Sequence, residues 1–174
     1  MKRFDNITVI SGGQTGIDQL GLFLAKTFGL DTGGTLPLGC KTEYGAEPAL
    51  IELYNMQQST QSNYSHRTRL NVENSNLTLI FGDIKSKGTA QTIDFCEVVG
   101  DNYLINPSIE EIKNAIFEIS TFSDSLVINI AGNRATKLHV NTISDATRIL
   151  SHIFKWLKNE EYVVKESISK NTLF

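Results

Sequence analysis

Three segments of this 174-residue chain are almost continuously apolar over the length of a strand: Ile7–Ser11, Leu77–Phe81 and Leu126–Ala131. They lack the apolar–polar alternation of a strand with one solvent-exposed face, so we expect each strand to be covered on both faces, as in a parallel sheet. Tyr103–Ile105 is predicted as a fourth strand, and Gly33–Leu36 gives a weaker fifth signal. The pattern therefore favours a sheet enclosed between two layers of helices.

Segments with helical spacing alternate with these strands. Four helices are predicted: Gln14–Phe28, Thr89–Val99, one capped by Ser108, and a last one that begins at Asn141 or Thr142. This alternation predicts βαβ units and an α/β fold with a Rossmann-like, doubly wound, mainly parallel sheet and helices on both faces. The length fits a single domain over residues 1–174, with a core at about 7–155 and a C-terminal tail at 162–174.

Residues 37 to 75 differ from the rest of the chain because they are polar and carry few apolar repeats. A helix is predicted within them at Glu47–Gln58. A connection of this length inside a compact domain is usually functional, so we expect it to contribute to a site.

Composition narrows the functional classes. A formal net charge of −3 and a pI near 5.6 argue against a nucleic-acid binder. No apolar run has the length of a membrane span, and the first residues do not resemble a secretory signal, so we expect a cytoplasmic protein with no membrane partner. Cys40 and Cys96 lack metal-site spacing, and no metal site is predicted. Cys96 lies in an apolar helical pattern and is expected to be a buried small side chain.

The segment Ser11–Asp18 joins the first strand to the first helix and contains Gly12, Gly13 and Gly16. The first N–H groups of a helix have no intrahelical partner, and the helix dipole favours negative charge there. Glycines permit close approach to the backbone. The segment therefore predicts a site for phosphate or an equivalent anion.

Two further loops follow strands in the same way, Gly82–Thr89 and Ala131–Arg134. The carboxyl ends of parallel strands meet at one edge of the sheet, where open α/β folds bind their ligands. One glycine turn often only ends a strand, but three loops of this kind favour a ligand site. The first loop matches neither the dinucleotide pattern G-x-G-x-x-G nor a P-loop, which disfavours an ordinary NAD dehydrogenase or NTPase.

Charged residues near these loops are candidates for ligand contact. Arg67 and Arg134 offer planar forks suited to phosphate, and Lys41 adds a further positive charge. Asp18 is predicted either to stabilise the start of the first helix or to contact ligand, and these two alternatives stay open at this point. Glu43 is the better candidate for a ligand-binding or acid–base group. No catalytic residue is assigned.

With these residues in place, the chain resembles the putative molybdenum carrier family, also called molybdenum cofactor carrier proteins. That family belongs to a Rossmann-like superfamily that includes the lysine-decarboxylase-like, cytokinin-activating phosphoribohydrolases. The resemblance covers about residues 7 to 155. It rests on the order and spacing of several segments: Ser11–Asp18, Gly33-Gly34, Pro37–Gly39, Glu43–Gly45, Tyr64–Val72, Ser75–Ile80, Gly88-Thr89 and Asn129–Arg134.

The resemblance implies a Rossmann-like sheet with a pocket for the molybdenum cofactor or a related pterin or nucleotide phosphate. It also implies a cytoplasmic homo-oligomer, a dimer or tetramer, whose partner is a small anionic ligand. Residue pattern and resemblance together predict a set of ligand-binding residues: Ser11, Gly12, Gly13, Gln14, Thr15, Gly16, Asp18, Lys41, Glu43, Arg67, Thr68, Asn71, Gly88, Thr89, Gly132 and Arg134.

The chain departs from the family pattern at four positions. Family members usually carry a basic residue where Cys40 stands and an acid where Tyr44 stands, and they often have Asp at Asn76 and Pro at Asn133.

A carrier is predicted first, with a nucleotide-binding sensor or a nucleoside-monophosphate phosphoribohydrolase as alternatives. Against the hydrolase, Thr92 stands where those relatives carry their catalytic acid, and a hydroxyl cannot supply that proton chemistry.

Overall fold

A computed structural model describes residues 4–158. The described chain contains nine strands and six α-helices. In order they are β1 Asn6–Ser11, α1 Ile17–Thr27, β2 Asp31–Gly33, β3 Thr35–Leu36, β4 Lys41–Thr42, β5 Gly45–Ala46, α2 Ala49–Tyr54, β6 Gln57–Gln58, α3 Tyr64–Glu73, β7 Leu77–Phe81, α4 Lys87–Val99, β8 Tyr103–Ile105, α5 Ile109–Ile119, β9 Ser125–Gly132 and α6 Val140–Lys158. A 3₁₀ turn, Ala135–Lys137, precedes α6. The predicted tail at 162–174 lies outside the described residues.

Five strands form one parallel sheet in the order β2-β1-β9-β7-β8. If the chain is counted from β9 onward through β1, β2, β7 and β8, the same sheet reads 3-2-1-4-5, which is the Rossmann order. The fold is therefore a Rossmann-like sheet whose first strand has been moved to the end of the chain. The predicted α/β fold with a parallel, doubly wound sheet is confirmed.

Helices cover both faces of the sheet. On one face α1, α5 and α6 share an apolar core with alternate residues of the strands, such as Leu79 and Ile128. On the other face the neighbouring strand residues Thr78 and Asn129 hydrogen-bond to each other at 3.3 Å, and the Cys96 thiol of α4 bonds to Thr78. Cys96 is fully buried, as predicted, and burial raises the pKa of its thiol to about 11.

Several predicted boundaries are wrong, each for a local reason. Helix α1 starts at Ile17 instead of Gln14, because Gly13 and Gly16 adopt positive φ angles of 68° and 89°. The predicted strand at Gly33–Leu36 is divided between β2 and β3 by Gly34, whose φ is 118°.

The remaining differences concern helices. The helix expected at Glu47–Gln58 covers only α2, because Asn55 ends it in the left-handed region. Helix α4 begins at Lys87, two residues before the predicted start, because Ser86 caps it. Helix α6 begins at Val140, one residue before the earlier predicted start at Asn141. Helical spacing predicts that its Ile143 faces the core, but this side chain is 40% exposed because it lies in the first turn.

The long connection between residues 37 and 75 contains the helix α3, which sequence reasoning missed. Its apolar positions do not form a continuous stripe, so helical periodicity is weak there. Asn63 caps it by accepting a 2.7 Å hydrogen bond from the His66 N–H. Helix α3 packs beside α4, and the two are joined by a 3.2 Å hydrogen bond from Gln91 Nε2 to Ser65 Oγ. The connection therefore brings a helix to the edge of the sheet where ligands are expected.

Candidate functional site

A cleft of about 690 Å³ opens at the carboxyl edge of the sheet. It lies where β1, β7 and β9 end, and α3 and the start of α4 form its walls. All three predicted loops contribute to its lining through Gln14, Gly88 and Gly132. The three junctions therefore meet around one space, at the place where an open α/β sheet binds ligands.

The first glycine loop is occupied by a carboxylate of the protein itself. Asp18 accepts hydrogen bonds from the N–H groups of Gly12 and Gln14, the latter at 3.3 Å, and its side chain is 4% exposed. Burial raises the pKa of Asp18 above its ordinary value, although the positive charge of Arg67 and the two N–H donors act in the opposite direction. Asp18 thus takes the place at this loop that an external anion would otherwise fill.

Other amides of the same loop are also engaged within the protein. The Gly13 N–H donates to Ser11 Oγ at 3.1 Å, and the Thr15 N–H donates to Gln14 Oε1 at 3.0 Å. At the start of α1 the Ile17 N–H donates to the carbonyl of Asn133 at 3.2 Å. These amides are consequently satisfied by internal partners, and this part of the loop supports the floor of the cleft.

The glycines of this loop make close contacts with protein groups. A Cβ on Gly12 would overlap the guanidinium of Arg67, and one on Gly13 would overlap Leu36. A Cβ on Gly16 would overlap the backbone of residues 133 to 135, between β9 and the 3₁₀ turn. Protein groups occupy the space beside these glycines, whereas the sequence prediction assigned their lack of a Cβ to the approach of a ligand.

Arg67 reaches the cleft from α3 and lies over Gly12. Its Nη1 is 3.3 Å from Asp18 Oδ2, and its side chain is 12% exposed. The guanidinium carbon is 5.9 Å from the centre of the Tyr64 ring, within the range of a cation–π contact. Its Nε is buried and has no hydrogen-bond partner among residues 4–158. Arg67 is therefore held in one orientation while part of its donor capacity is unused.

The start of α4 faces the cleft with open backbone groups. Ser86 caps the helix by accepting from the Thr89 N–H at 3.4 Å. The N–H groups of Lys87 and Gly88 precede the first intrahelical hydrogen bond and have no acceptor in the described part of the chain. A Cβ built on Gly88 would meet nothing within 4 Å, so the space above this turn is open. Both features suit an anion, as do the positive end of the helix dipole and the Lys87 ammonium.

Asn133 connects the loop after β9 to the loop before α4. Its Nδ2 donates to Ser86 Oγ at 2.8 Å and to Thr89 Oγ1 at 3.2 Å, while its Oδ1 accepts from the Asp83 N–H at 2.5 Å. The side chain is almost completely buried. Where the family often has proline, this chain thus has an amide that fixes the shape of the α4 turn.

Glu43 fastens the β4–β5 hairpin to the rim of the cleft. Its carboxylate accepts hydrogen bonds from the hydroxyls of Thr15 and Thr136 and from the Thr136 N–H, and it lies 3.5 Å from Arg134 Nε. Burial acts to raise the pKa of Glu43, but these hydrogen bonds and the Arg134 charge outweigh it and lower the pKa below its usual value. Glu43 is therefore engaged as an anion in holding Arg134 beside the cleft.

Positive charge dominates the lining of the cleft. Four basic side chains contribute to it, Arg67, Lys87, Arg134 and Lys137, against two carboxylates. Of these two, Asp18 is paired with Arg67, and Asp83 is exposed and accepts from the Lys85 N–H at 2.9 Å. The balance favours a ligand with negative charge.

The structure brings half of the predicted site residues to the cleft surface. These are Gln14, Asp18, Arg67, Thr68, Gly88, Thr89, Gly132 and Arg134. The others do not line it: Ser11, Gly12, Gly13, Thr15 and Gly16 lie in the supporting loop, Glu43 and Lys41 belong to the hairpin, and Asn71 is buried against the backbone of Thr35.

Asp83, Ser86, Lys87 and Asn133 line the cleft and lie in the predicted loops, although the sequence did not single them out as site residues. Sequence reasoning missed four further residues of the lining: Tyr64, Ser65, Gln91 and Lys137. The signal for Ser86 and Lys87 was present, because serine one residue before a helix is a strong capping residue. The positions of Tyr64 and Gln91 depend on the packing of α3 against α4, which no local pattern reveals.

The other departures from the family pattern lie away from the cleft lining. Cys40 is buried among apolar side chains with a φ of 52°, and Tyr44 is 70% exposed on the hairpin. Asn76 joins two strands by accepting a 2.7 Å hydrogen bond from the Val127 N–H. None of these three contributes to the cleft wall.

Residues 4–158 lack two features that would indicate other classes of site. No group of three or more His, Cys, Asp or Glu side chains is arranged to hold a metal ion. No helix in that range combines the length and the apolar character required to cross a bilayer.

The sheet order, the three converging junctions and the basic cleft define a Rossmann-like α/β protein with a cleft at its topological switch point, where this class of fold binds ligands. Residues 9–157 match the model of the circularly permutated YpsA SLOG family, and the chain belongs to that family. The family description agrees with a strand order in which the last strand occupies the place of the first.

A solved structure supports the same relationship. The chain is similar to the crystal structure of "Putative molybdenum carrier protein" from Syntrophus aciditrophicus SB, with 34% sequence identity and a TM-score of 0.69. The similarity covers 88% of this chain and 97% of that one. No curated protein matches the chain significantly.

Proposed function

We propose that this protein binds and carries a small organic anion in the cleft, namely the molybdenum cofactor or a related pterin or nucleotide phosphate. The name of the similar crystal structure supports a molybdenum carrier role. The proposal includes a homo-oligomer, a dimer or tetramer, that works in the cytoplasm without nucleic-acid or membrane partners.

One observation carries the proposal. The unpaired N–H groups of Lys87 and Gly88 open into the same cleft as the guanidinium of Arg67 and the charges of Arg134 and Lys137. Backbone donors at a helix start hold a phosphate group, and arginine adds planar, charge-assisted hydrogen bonds. Similarity to a protein named as a molybdenum carrier supports the molybdenum cofactor as the first candidate for this anion.

Binding is better supported than turnover. Thr92 stands on the cleft wall, and its hydroxyl donates to the Gly88 carbonyl at 3.2 Å. The Asp18 carboxylate is engaged by Arg67 and two backbone N–H groups. Neither residue is a free carboxylic acid that could protonate a leaving base, so the carrier is preferred to the phosphoribohydrolase.

The first test measures ligand affinity by isothermal titration calorimetry with AMP, inorganic phosphate and molybdate as probes. Arg67→Ala should weaken AMP binding by about 1.5–3 kcal/mol, the usual contribution of a charged hydrogen bond, which is roughly 10- to 150-fold in Kd. Native mass spectrometry of gently purified protein would report a retained ligand and the number of subunits together.

Arg69→Ala is the matched control. Arg69 lies two residues further along α3, its side chain is 60% exposed, and it pairs with Glu73 on the surface at 2.6 Å. This variant should bind AMP as the wild type does. Equal loss in both variants, or no loss in a folded Arg67→Ala protein, would contradict the proposed site. Release of free adenine from AMP would favour the hydrolase instead.

A further inference from the structure

The size of the cleft indicates that its ligand is more than a bare oxyanion. Its volume of about 690 Å³ lies within the range of about 300–1,000 Å³ that holds small organic molecules. The phosphate-binding features are concentrated at the turn of α4, in Lys87 and Gly88. The opposite wall is supplied by α3, so the rest of a bound molecule would meet the side chains of that helix.

Tyr64 gives this wall an aromatic surface. It is the first residue of α3, it lines the cleft, and it is 41% exposed. An aromatic side chain in a cleft with this much exposed area offers a face on which a flat heterocycle can stack. Purine and pterin rings are flat and have such faces.

One side of the Tyr64 ring is occupied by Arg67. The Arg67 guanidinium lies 5.9 Å from the ring centre, and Arg67 is itself held by Asp18 and lies over Gly12. A ring inserted between Arg67 and Tyr64 would need about 3.5 Å on each side, which is more than this separation provides. A heterocycle must therefore use the face of Tyr64 that points away from Arg67.

Polar groups beside Tyr64 suit the edge of such a ring. Ser65 and Gln91 both line the cleft and are joined by the 3.2 Å hydrogen bond from Gln91 Nε2 to Ser65 Oγ. The fixed amide of Gln91 can both donate and accept, as the nitrogen and carbonyl groups of purines and pterins require.

We infer that Tyr64 is a specificity-determining residue that stacks on the heterocyclic ring of a phosphate-bearing ligand whose phosphate lies at the start of α4. The inference rests on the proposed function and adds to it a second contact region for the ring. It predicts that the protein distinguishes a ring-bearing phosphate from a ringless one mainly through Tyr64.

The test compares three probes by isothermal titration calorimetry: AMP, a pterin monophosphate, and ribose 5-phosphate, which carries phosphate and sugar but no aromatic ring. Ring-bearing and ringless refer here to the aromatic ring. The wild-type protein should bind at least one ring-bearing probe about 5- to 150-fold more tightly than ribose 5-phosphate, which corresponds to the ~1–3 kcal/mol of one stacked base. Tyr64→Ala should lose that advantage and keep its affinity for ribose 5-phosphate. Tyr64→Phe keeps the aromatic face and should bind like the wild type.

Phe122→Ala is the control for removing an exposed aromatic side chain. Phe122 is 71% exposed and precedes β9, so it lies at the amino edge of the sheet, opposite the cleft. Its removal should leave all three affinities unchanged. Circular dichroism melting curves confirm that each variant is folded.

The outcomes separate the two proposals. Wild-type affinity of folded Tyr64→Ala for every ring-bearing probe would overturn the ring contact and leave the phosphate site intact. Equal loss of ring-bearing and ringless probes in Tyr64→Ala would also overturn it, because the effect would then not involve the ring. A wild-type protein that binds none of the three probes would refute the proposed function and this inference together.

Discussion

Gly12→Ala tests the arrangement of Arg67, Asp18 and the glycine loop beneath the cleft. The φ angle of Gly12 is not positive, so alanine adds no backbone strain. The three atoms nearest to the added methyl all belong to the Arg67 guanidinium, which it would overlap. The methyl group should therefore push Arg67 away from Asp18.

The loss of folding stability expected for Gly12→Ala follows from the contacts that are lost. Displacing Arg67 breaks its 3.3 Å contact with the buried Asp18 carboxylate, and a hydrogen bond to a charged group contributes about 1.5–3 kcal/mol. The N–H groups of Gly12 and Gln14 still serve the carboxylate, so the cost should stay below the ~3–5 kcal/mol of a buried ion left without partners. We expect a loss of about 1.5–3 kcal/mol in the free energy of unfolding, or about 2–4 °C in Tm for each kcal/mol.

A double-mutant cycle makes the test specific. In an Arg67→Ala background the methyl of Gly12→Ala has no guanidinium to displace, so it should cost less than about 0.5 kcal/mol, and the two substitutions should couple by at least about 1 kcal/mol. Stability is measured by urea unfolding followed by circular dichroism. Additive effects would refute the stacking of Arg67 over Gly12.

Gly88→Ala provides the matched control for the same substitution. A Cβ at Gly88 meets nothing within 4 Å, and its φ is also not positive. This variant should be as stable as the wild type or gain up to about 1 kcal/mol, because alanine loses less backbone entropy in a helix. A large loss of stability here would show that glycine replacement alone is harmful at this edge of the sheet.

Two further predictions concern titratable groups. The pKa of Glu43 is lower in the folded than in the unfolded protein, so its contribution to stability is present above the unfolded pKa and is lost as pH falls through the folded pKa. Glu43→Gln should therefore lower the free energy of unfolding by about 1–3 kcal/mol at pH 7, and the difference from wild type should shrink below pH 4.5. The control Glu73→Gln, on the surface, should change the free energy of unfolding by less than about 1 kcal/mol. Cys96 is fully buried, and the pKa of its thiol is about 11. In a Cys40→Ser background, a thiol reagent at pH 8 should therefore label the protein only after unfolding. Rapid labelling of the native protein would contradict the burial of Cys96.

Local patterns were sufficient to predict much of the sheet. β1, β7 and β9 are unalternating apolar runs, because their side chains are covered on both faces, and their bounds were predicted to within about a residue. The carboxyl-edge site followed from these strands and from the loops after them. The order of the strands could not be predicted, because nothing local indicates that β9 inserts between β1 and β7.

In the candidate site, too, local patterns predicted some residues, and others were positioned only by tertiary packing. Arg67 and Arg134 were identified because a planar cation beside a glycine loop suits an anion, and both line the cleft. Tyr64 and Gln91 were missed because α3 has weak helical periodicity and reaches the cleft only by packing against α4.

The sequence alone determined the parallel sheet, the glycine junctions and the presence of cations near them, because each depends on the type and spacing of neighbouring residues. Only the tertiary structure decided which groups those junctions bind. The amides of the first loop serve Asp18, Ser11 and Gln14, and the amides at the start of α4 stay open to the cleft. Both segments have free N–H groups in isolation, but in the fold the first loop turns its own Ser11, Gln14 and Asp18 side chains onto its amides, and the Asn133 carbonyl accepts from Ile17, whereas no such acceptor reaches Lys87 and Gly88 among residues 4–158.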